Sequence, residues 1–116
     1  MHGVIELILR SEEGEDQMVE LKPIEIHNRV FTAISVKLPK TNLLVVTSER
    51  GYIMCGALDV ALLNEKLADR NIIAGRAVGV KTIEDLLYAP LESVTVGAEK
   101  LGIHKGMIGR DALLYM

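Results

Sequence analysis

Gly51-Tyr52-Ile53-Met54-Cys55 runs straight into Gly56-Ala57-Leu58-Asp59-Val60, and Ala74-Gly75-Arg76-Ala77-Val78-Gly79-Val80 follows about one helix length later. The first piece is a short apolar run of the kind that forms a strand, expected over residues 52–55. The spacing then changes. Val60, Leu63 and Leu67 fall on one helical line, with Leu58, Ala61 and Leu62 beside it. That pattern predicts a helix over residues 58–70, with Asp59 as its N-cap and Asn71 ending it in a left-handed conformation. Residues 72–80 read as a strand again, in which Gly75 and Gly79 weaken the pairing or admit a close neighbour. Strand, helix, strand in this order predicts a right-handed crossover and one parallel pair. Such a crossover brings the carboxyl ends of both strands to the same side of the sheet, where ligands of open α/β sheets tend to bind.

Toward the N-terminus the pattern becomes one of strands and turns. Residues 4–10 alternate as a strand, and the acidic group Glu12, Glu13, Glu15 and Asp16 reads as a solvated turn. Residues 19–26 form a second strand. Pro23 offers no amide to a ladder, which predicts an edge or a bulge there. His27-Asn28-Arg29 is a tight turn, residues 30–38 alternate, and Pro39-Lys40-Thr41-Asn42 turns the chain again. Residues 43–46 are continuously apolar, as expected of a central strand buried on both faces. Toward the C-terminus, Thr82 opens a second helix that Pro90 stops, with Asp85 placed for a near capping box. A third helix over residues 95–101 ends at Gly102-Ile103 in the manner of a Schellman motif. Gly106 and Gly109 flank a bend before a last short helix at 111–116. The expected architecture is one α+β domain over residues 1–116: an N-terminal antiparallel β-meander, then the β-α-β crossover and short C-terminal helices.

Composition narrows the function classes. A chain of 116 residues suits one domain and buries roughly two-thirds of its unfolded surface. Hydrophobic residues are 49% but aromatics only 3%, so the core is aliphatic and few rings are on hand to stack against bases. Net charge is −3 with no basic stripe, which argues against a nucleic-acid partner. The single cysteine excludes an internal disulfide framework. With no secretory pattern and no apolar run of roughly 18 residues, a reducing, cytoplasmic setting without a membrane partner is expected.

The stretches Leu38-Pro39-Lys40-Thr41-Asn42-Leu43, Gly51 to Val60, Ala74 to Val80 and Gly106-Met107-Ile108-Gly109-Arg110 resemble the YunC-like family of small bacterial and archaeal proteins. The resemblance spans residues 21–116, and the Gly-Tyr-Ile-Met-Cys-Gly-Ala-Leu-Asp string is its most specific part. The family is described as using an N-terminal β-sheet region to form tetramers, so the resemblance implies a homo-oligomer. It implies no activity and no cofactor. It also suggests Met18 as the usual start, which makes residues 1–17 an N-terminal β extension.

Few residues are placed to carry chemistry. Cys55 lies just before Gly56 and a helix start. The helix dipole favours a thiolate there, whereas Met54, Ala57 and Leu58 disfavour charge and suit a buried core thiol. Gly75-Arg76-Ala77-Val78-Gly79-Val80-Lys81-Thr82 leads from a strand into a helix but misses the P-loop spacing by one residue. Free amides at such a helix start still attract anions, and Arg76 and Lys81 add charge. The plain alternative is that Thr82 caps, the glycines permit packing and both cations are solvated. Arg110, after Gly109, either clamps an anion or pairs with an acid such as Asp111. His2, His27 and His104 sit at no metal-ligand spacing, so no metal is expected. Two functions follow. The first is an oligomer holding a small anionic metabolite through Gly56, Asp59, Gly75, Arg76, Gly79, Lys81, Thr82 and Arg110. The second is a cysteine-dependent enzyme with Cys55 as nucleophile, for which the sequence offers no evident base. Gly56, Asp59, Arg76 and Lys81 are expected to meet at the mouth of one cleft.

Overall fold

The computed structural model describes residues 7–8, 19–66 and 68–116. The strands are β1 (Leu7–Ile8), β2 (Val19–Ile26), β3 (Arg29–Leu38), β4 (Thr41–Thr47), β5 (Gly51–Met54), β6 (Ile73–Arg76) and β7 (Ser93–Val94). They form one sheet in sequence order, antiparallel throughout except for the parallel pair β5–β6. Among the described residues, four short helices complete the α+β fold: α1 (Val60–Glu65), α2 (Ile83–Tyr88), α3 (Val96–Glu99) and α4 (Gly109–Leu113). Of the expected first strand, β1 is the described part, pairing with Leu21 and Glu20. The acidic group and His2 lie outside the described residues.

The hairpins follow from their turn residues. His27 and Asn28 both have positive φ, 51° and 65°, which is what a two-residue type I′ turn requires. The turn makes Ile26↔Arg29 the first hydrogen-bonded pair, and hydrogen-bonded pairs then alternate along the ladder. Pro23↔Thr32 therefore falls at a non-hydrogen-bonded position toward β3. No bulge forms: the register runs unbroken from Val19↔Val36 to Ile26↔Arg29. Nor is β2 the outermost strand, because β1 pairs beside it. The missing amide of Pro23 falls on the β1 side, beyond the two described pairs. Pro39 and Lys40, with φ 66° at Lys40, make the next turn in type II fashion.

Residues opposite one another in the ladders share a face. One face carries Phe31, Ala33, Leu44, Val46 and Ile53, all buried against Leu86, Leu91, Ile103 and Leu113 of the C-terminal segments. The other carries Tyr52, Met54 and Ala74, covered by Leu58, Val60 and Leu63 around α1. β4 sits in the middle of the sheet, with Leu44, Val45 and Val46 buried, as its unbroken apolar run predicts.

The helices are shorter than their periodicity suggests. α1 ends at Glu65, and a 3-10 turn follows at Ala68–Arg70. Lys66, Asp69 and Arg70 are exposed. Asn71 still adopts the left-handed conformation, with φ 51°. β6 stops at Arg76 because its partner β5 stops at Met54. α4 begins two residues earlier than expected. Gly109 has no Cβ to strike the Leu86 carbonyl, which would stand 2.6 Å away. The helix ends early, where Arg50 takes the carbonyls of Tyr115 and Met116 (2.8 and 3.1 Å) and Arg29 that of Leu114 (2.9 Å). After α3, the amide of Ile103 donates to Ala98 O at 3.1 Å and that of Gly102 to Glu99 O at 3.0 Å, the Schellman pattern expected.

Candidate functional site

β5 and β6 run parallel, and their carboxyl ends open on a cleft of about 670 Å³. Gly56, Asp59 and Asn64 line one wall; Arg76, Glu92 and Ser93 line the other. Met54↔Arg76 and Arg76↔Ser93 place the three strand ends side by side, so backbone pairing alone delivers Arg76 and Ser93 to the same rim. Asp59 arrives there as the N-cap of α1, accepting from the Leu62 amide at 3.0 Å. Asn64 is held from the far side, accepting the Val96 amide on Oδ1 at 3.0 Å.

The guanidinium of Arg76 is pinned rather than free. Nε and Nη2 donate to Gly56 O at 3.3 and 3.2 Å, and Nη1 donates to Glu92 Oε1 at 2.8 Å. The Ser93 hydroxyl donates to the same Glu92 oxygen at 2.8 Å. That hydrogen bond first, and the Arg76 guanidinium second, hold the Glu92 carboxyl below the usual glutamate range; partial desolvation opposes them, and the charges of Arg76 and Lys105 assist. With a lowered pKa in the folded chain, the brace is fully present above the ordinary glutamate value and is lost as pH falls through the lowered one. Both side chains keep contact with solvent, 30% exposed for Arg76 and 44% for Glu92, so the pair is an adjustable surface link.

The structure brings Gly56, Asp59 and Arg76 to one cleft. Lys81 is not among the residues lining it. Lys81 is exposed, and its amide donates to Asp85 Oδ2 at 3.1 Å. Thr82 Oγ1 accepts from the Asp85 amide at 3.0 Å, so this helix start is closed by its own side chains. Gly75 is buried, and a Cβ there would meet Leu91 Cδ1 at 2.7 Å: its small size serves packing. Gly79 has φ 75° and open space around it, which marks it as a turn residue. Arg110 lies on α4 and is half-buried, apart from the residues that line the cleft.

Cys55 is buried at 6% exposure. Its Sγ accepts the Leu44 amide at 3.5 Å and points a donor toward Asn42 O at 3.9 Å. It lies in the aliphatic core, as its apolar neighbours led us to expect, and not on the cleft wall. Among the described residues, no cluster of three His, Cys, Asp or Glu side chains is arranged to hold a metal, and no helix is long and apolar enough to cross a membrane.

Glu92, Ser93 and Asn64 are cleft residues that sequence reasoning missed. Leu91-Glu92-Ser93-Val94-Thr95 does carry a short alternation after Pro90, which is the signal that could have found β7 and its two polar side chains.

Taken together, the mixed sheet, the parallel β5–β6 pair and the cleft at its carboxyl ends define a small α+β protein with a charged cleft over the crossover. The chain belongs to the family described as Domain of unknown function (DUF1805), which matches residues 54–116 and so contains every residue of that cleft. It is 68% identical over 99 residues to the "Uncharacterized protein YunC" of Bacillus subtilis (strain 168), covering 85% of this chain and 98% of that one. It also matches the crystal structure of a protein of unknown function from Thermoplasma acidophilum, with a TM-score of 0.76 and 32% identity, over 85% of this chain and 93% of that one. None of these names assigns an activity.

Proposed function

We propose that this chain is the subunit of a homo-oligomer, a tetramer by its family resemblance, that binds a small anionic metabolite in the Arg76 cleft. The observation that carries the binding reading is the placement of Arg76. A strand end holds it at the carboxyl side of a parallel pair, and the Gly56 carbonyl fixes its planar fork toward the cleft. A guanidinium so fixed loses little freedom when it takes an oxyanion, and a fork matches two oxygens at once. Asn64 and Ser93 add polar groups around it. The helix starts themselves contribute less than the sequence suggests, since Asp59 and Thr82 occupy the amides. Cys55 stays outside this reading, because a thiol walled into the core meets no substrate in the cleft.

The assembly reading rests on the sheet face away from α2 and α4. Val19, Leu21, Ile34 and Val36 share that face by register and are half-buried, yet belong to neither packed cluster of the described residues. Val30 and Leu38 on the same side are 69% and 43% exposed. Contiguous apolar surface of this kind marks an interaction site.

The binding reading is tested on ¹⁵N-labelled protein by following the Arg76 Nε–H resonance while acetate, succinate, citrate or inorganic phosphate is added. At least one is expected to move that resonance saturably, and Arg76→Lys to abolish binding, because an ammonium cannot reproduce the fork. Movement of many surface arginines alike, with none saturating at Arg76, contradicts the proposal.

A further inference from the structure

We propose that the Glu92 carboxylate is an internal stand-in for a carboxylate of the ligand, and that the ligand binds by displacing it from Arg76 and Ser93. This inference rests on the binding reading of the Arg76 cleft and names the ligand class: a small carboxylic acid.

Among the described residues, Arg76 is the cation on the cleft lining, and it shares that lining with two acids, Asp59 and Glu92. An anion therefore gains nothing from Arg76 unless one acid yields. Glu92 is the acid placed to do so. Its Oε1 occupies a position 2.8 Å from Arg76 Nη1 and 2.8 Å from Ser93 Oγ, an oxygen seat made by two donors. Both donors are held without Glu92. Arg76 keeps its two bonds to the Gly56 carbonyl, and Ser93 keeps its place opposite Arg76 in the ladder. The Glu92 backbone is anchored separately, its amide donating to Arg76 O at 2.7 Å. Its side chain, 44% exposed, can rotate into solvent while the main chain stays put. The vacated seat then takes a ligand oxygen with the hydrogen bonds it already offers a carboxylate. Glu92 thereby sets specificity. A neutral ligand cannot replace its charge on Arg76, and a cation meets the guanidinium.

The test uses succinate as the probe and the Arg76 Nε–H resonance as the readout, in the full-length protein. Glu92→Gln keeps the shape of the side chain and removes the competing charge. The dissociation constant for succinate is expected to fall roughly twofold to fivefold, the range set by an exposed ion pair. Adding Ser93→Ala to Glu92→Gln should reverse most of that gain. Glu65→Gln, the same change of charge on α1 but outside the lining of the cleft, should match the wild type. Equal affinity in the wild type and Glu92→Gln, with Arg76 responding in both, overturns the stand-in while the binding reading survives. An equal gain in Glu65→Gln overturns it as well, by reducing the effect to overall charge. No response of Arg76 in any variant removes the binding reading and the stand-in together.

Discussion

Ile34→Glu is expected to take the proposed oligomer apart while leaving its subunits folded. Ile34 sits in the middle of β3, opposite Leu21 on β2 and Val45 on β4, so these three side chains form an apolar row across the sheet. Within one subunit the face is open enough for a glutamate to reach water. In an assembled interface the same carboxylate is buried with no partner, and a group in that position costs several kcal/mol. About 3 kcal/mol per interface corresponds to a roughly hundredfold weaker association. Light scattering should report the mass falling toward that of one chain, and far-ultraviolet circular dichroism should stay near that of the wild type. Ile34→Val, which keeps the face apolar, should remain assembled. An unchanged mass for Ile34→Glu would place the interface elsewhere.

Gly109→Ala is expected to be strongly destabilising, because it adds a methyl where α4 packs on α2 and β5. A Cβ at Gly109 stands 2.6 Å from the Leu86 carbonyl oxygen and 2.9 Å from Ile53 Cδ1. The first neighbour is α2 backbone and cannot turn aside, so α4 must lift from α2 and β5. Overpacking of this kind costs about 1–3 kcal/mol, and the backbone clash places Gly109 at the upper end. A chain of this size then loses on the order of 10 °C in Tm. Gly79→Ala makes the informative comparison. Nothing lies within 4 Å of a Cβ there, but φ is 75°, so the cost is the left-handed conformation alone, about 1 kcal/mol. Thermal unfolding should separate the two; equal losses would show that space at Gly109 is not what the α2–α4 contact requires.

The sheet was legible because alternation and turn chemistry act within a few residues. His27-Asn28, Pro39-Lys40 and the apolar run through Leu44 and Val46 each specify their own local geometry, and the order of strands follows from short connections. Helix lengths were less legible. Val60, Leu63 and Leu67 set a helical line in the sequence, but how far it extends depends on where the sheet beneath it ends, and that is a tertiary fact. β7 was missed for the same reason. Ser93 and Val94 become a strand because Arg76 and Gly75 offer them a free edge. The cleft was half legible. Strand-end logic brought Gly56, Asp59 and Arg76 together, since a parallel pair puts its carboxyl ends at one place. Lys81 did not join them, because four residues with a left-handed Gly79 intervene between it and Arg76. Glu92, which neutralises Arg76 from just before β7, sixteen residues away, has no local signature at all.

Native mass spectrometry of the purified protein, sprayed from a volatile buffer at neutral pH, reads assembly and bound ligand in one spectrum. The expected mass is a multiple of the 12.7 kDa chain, carrying a small acidic adduct on each subunit that is lost in Arg76→Ala. A single-chain mass, or the same adduct retained by Arg76→Ala, would contradict the proposal.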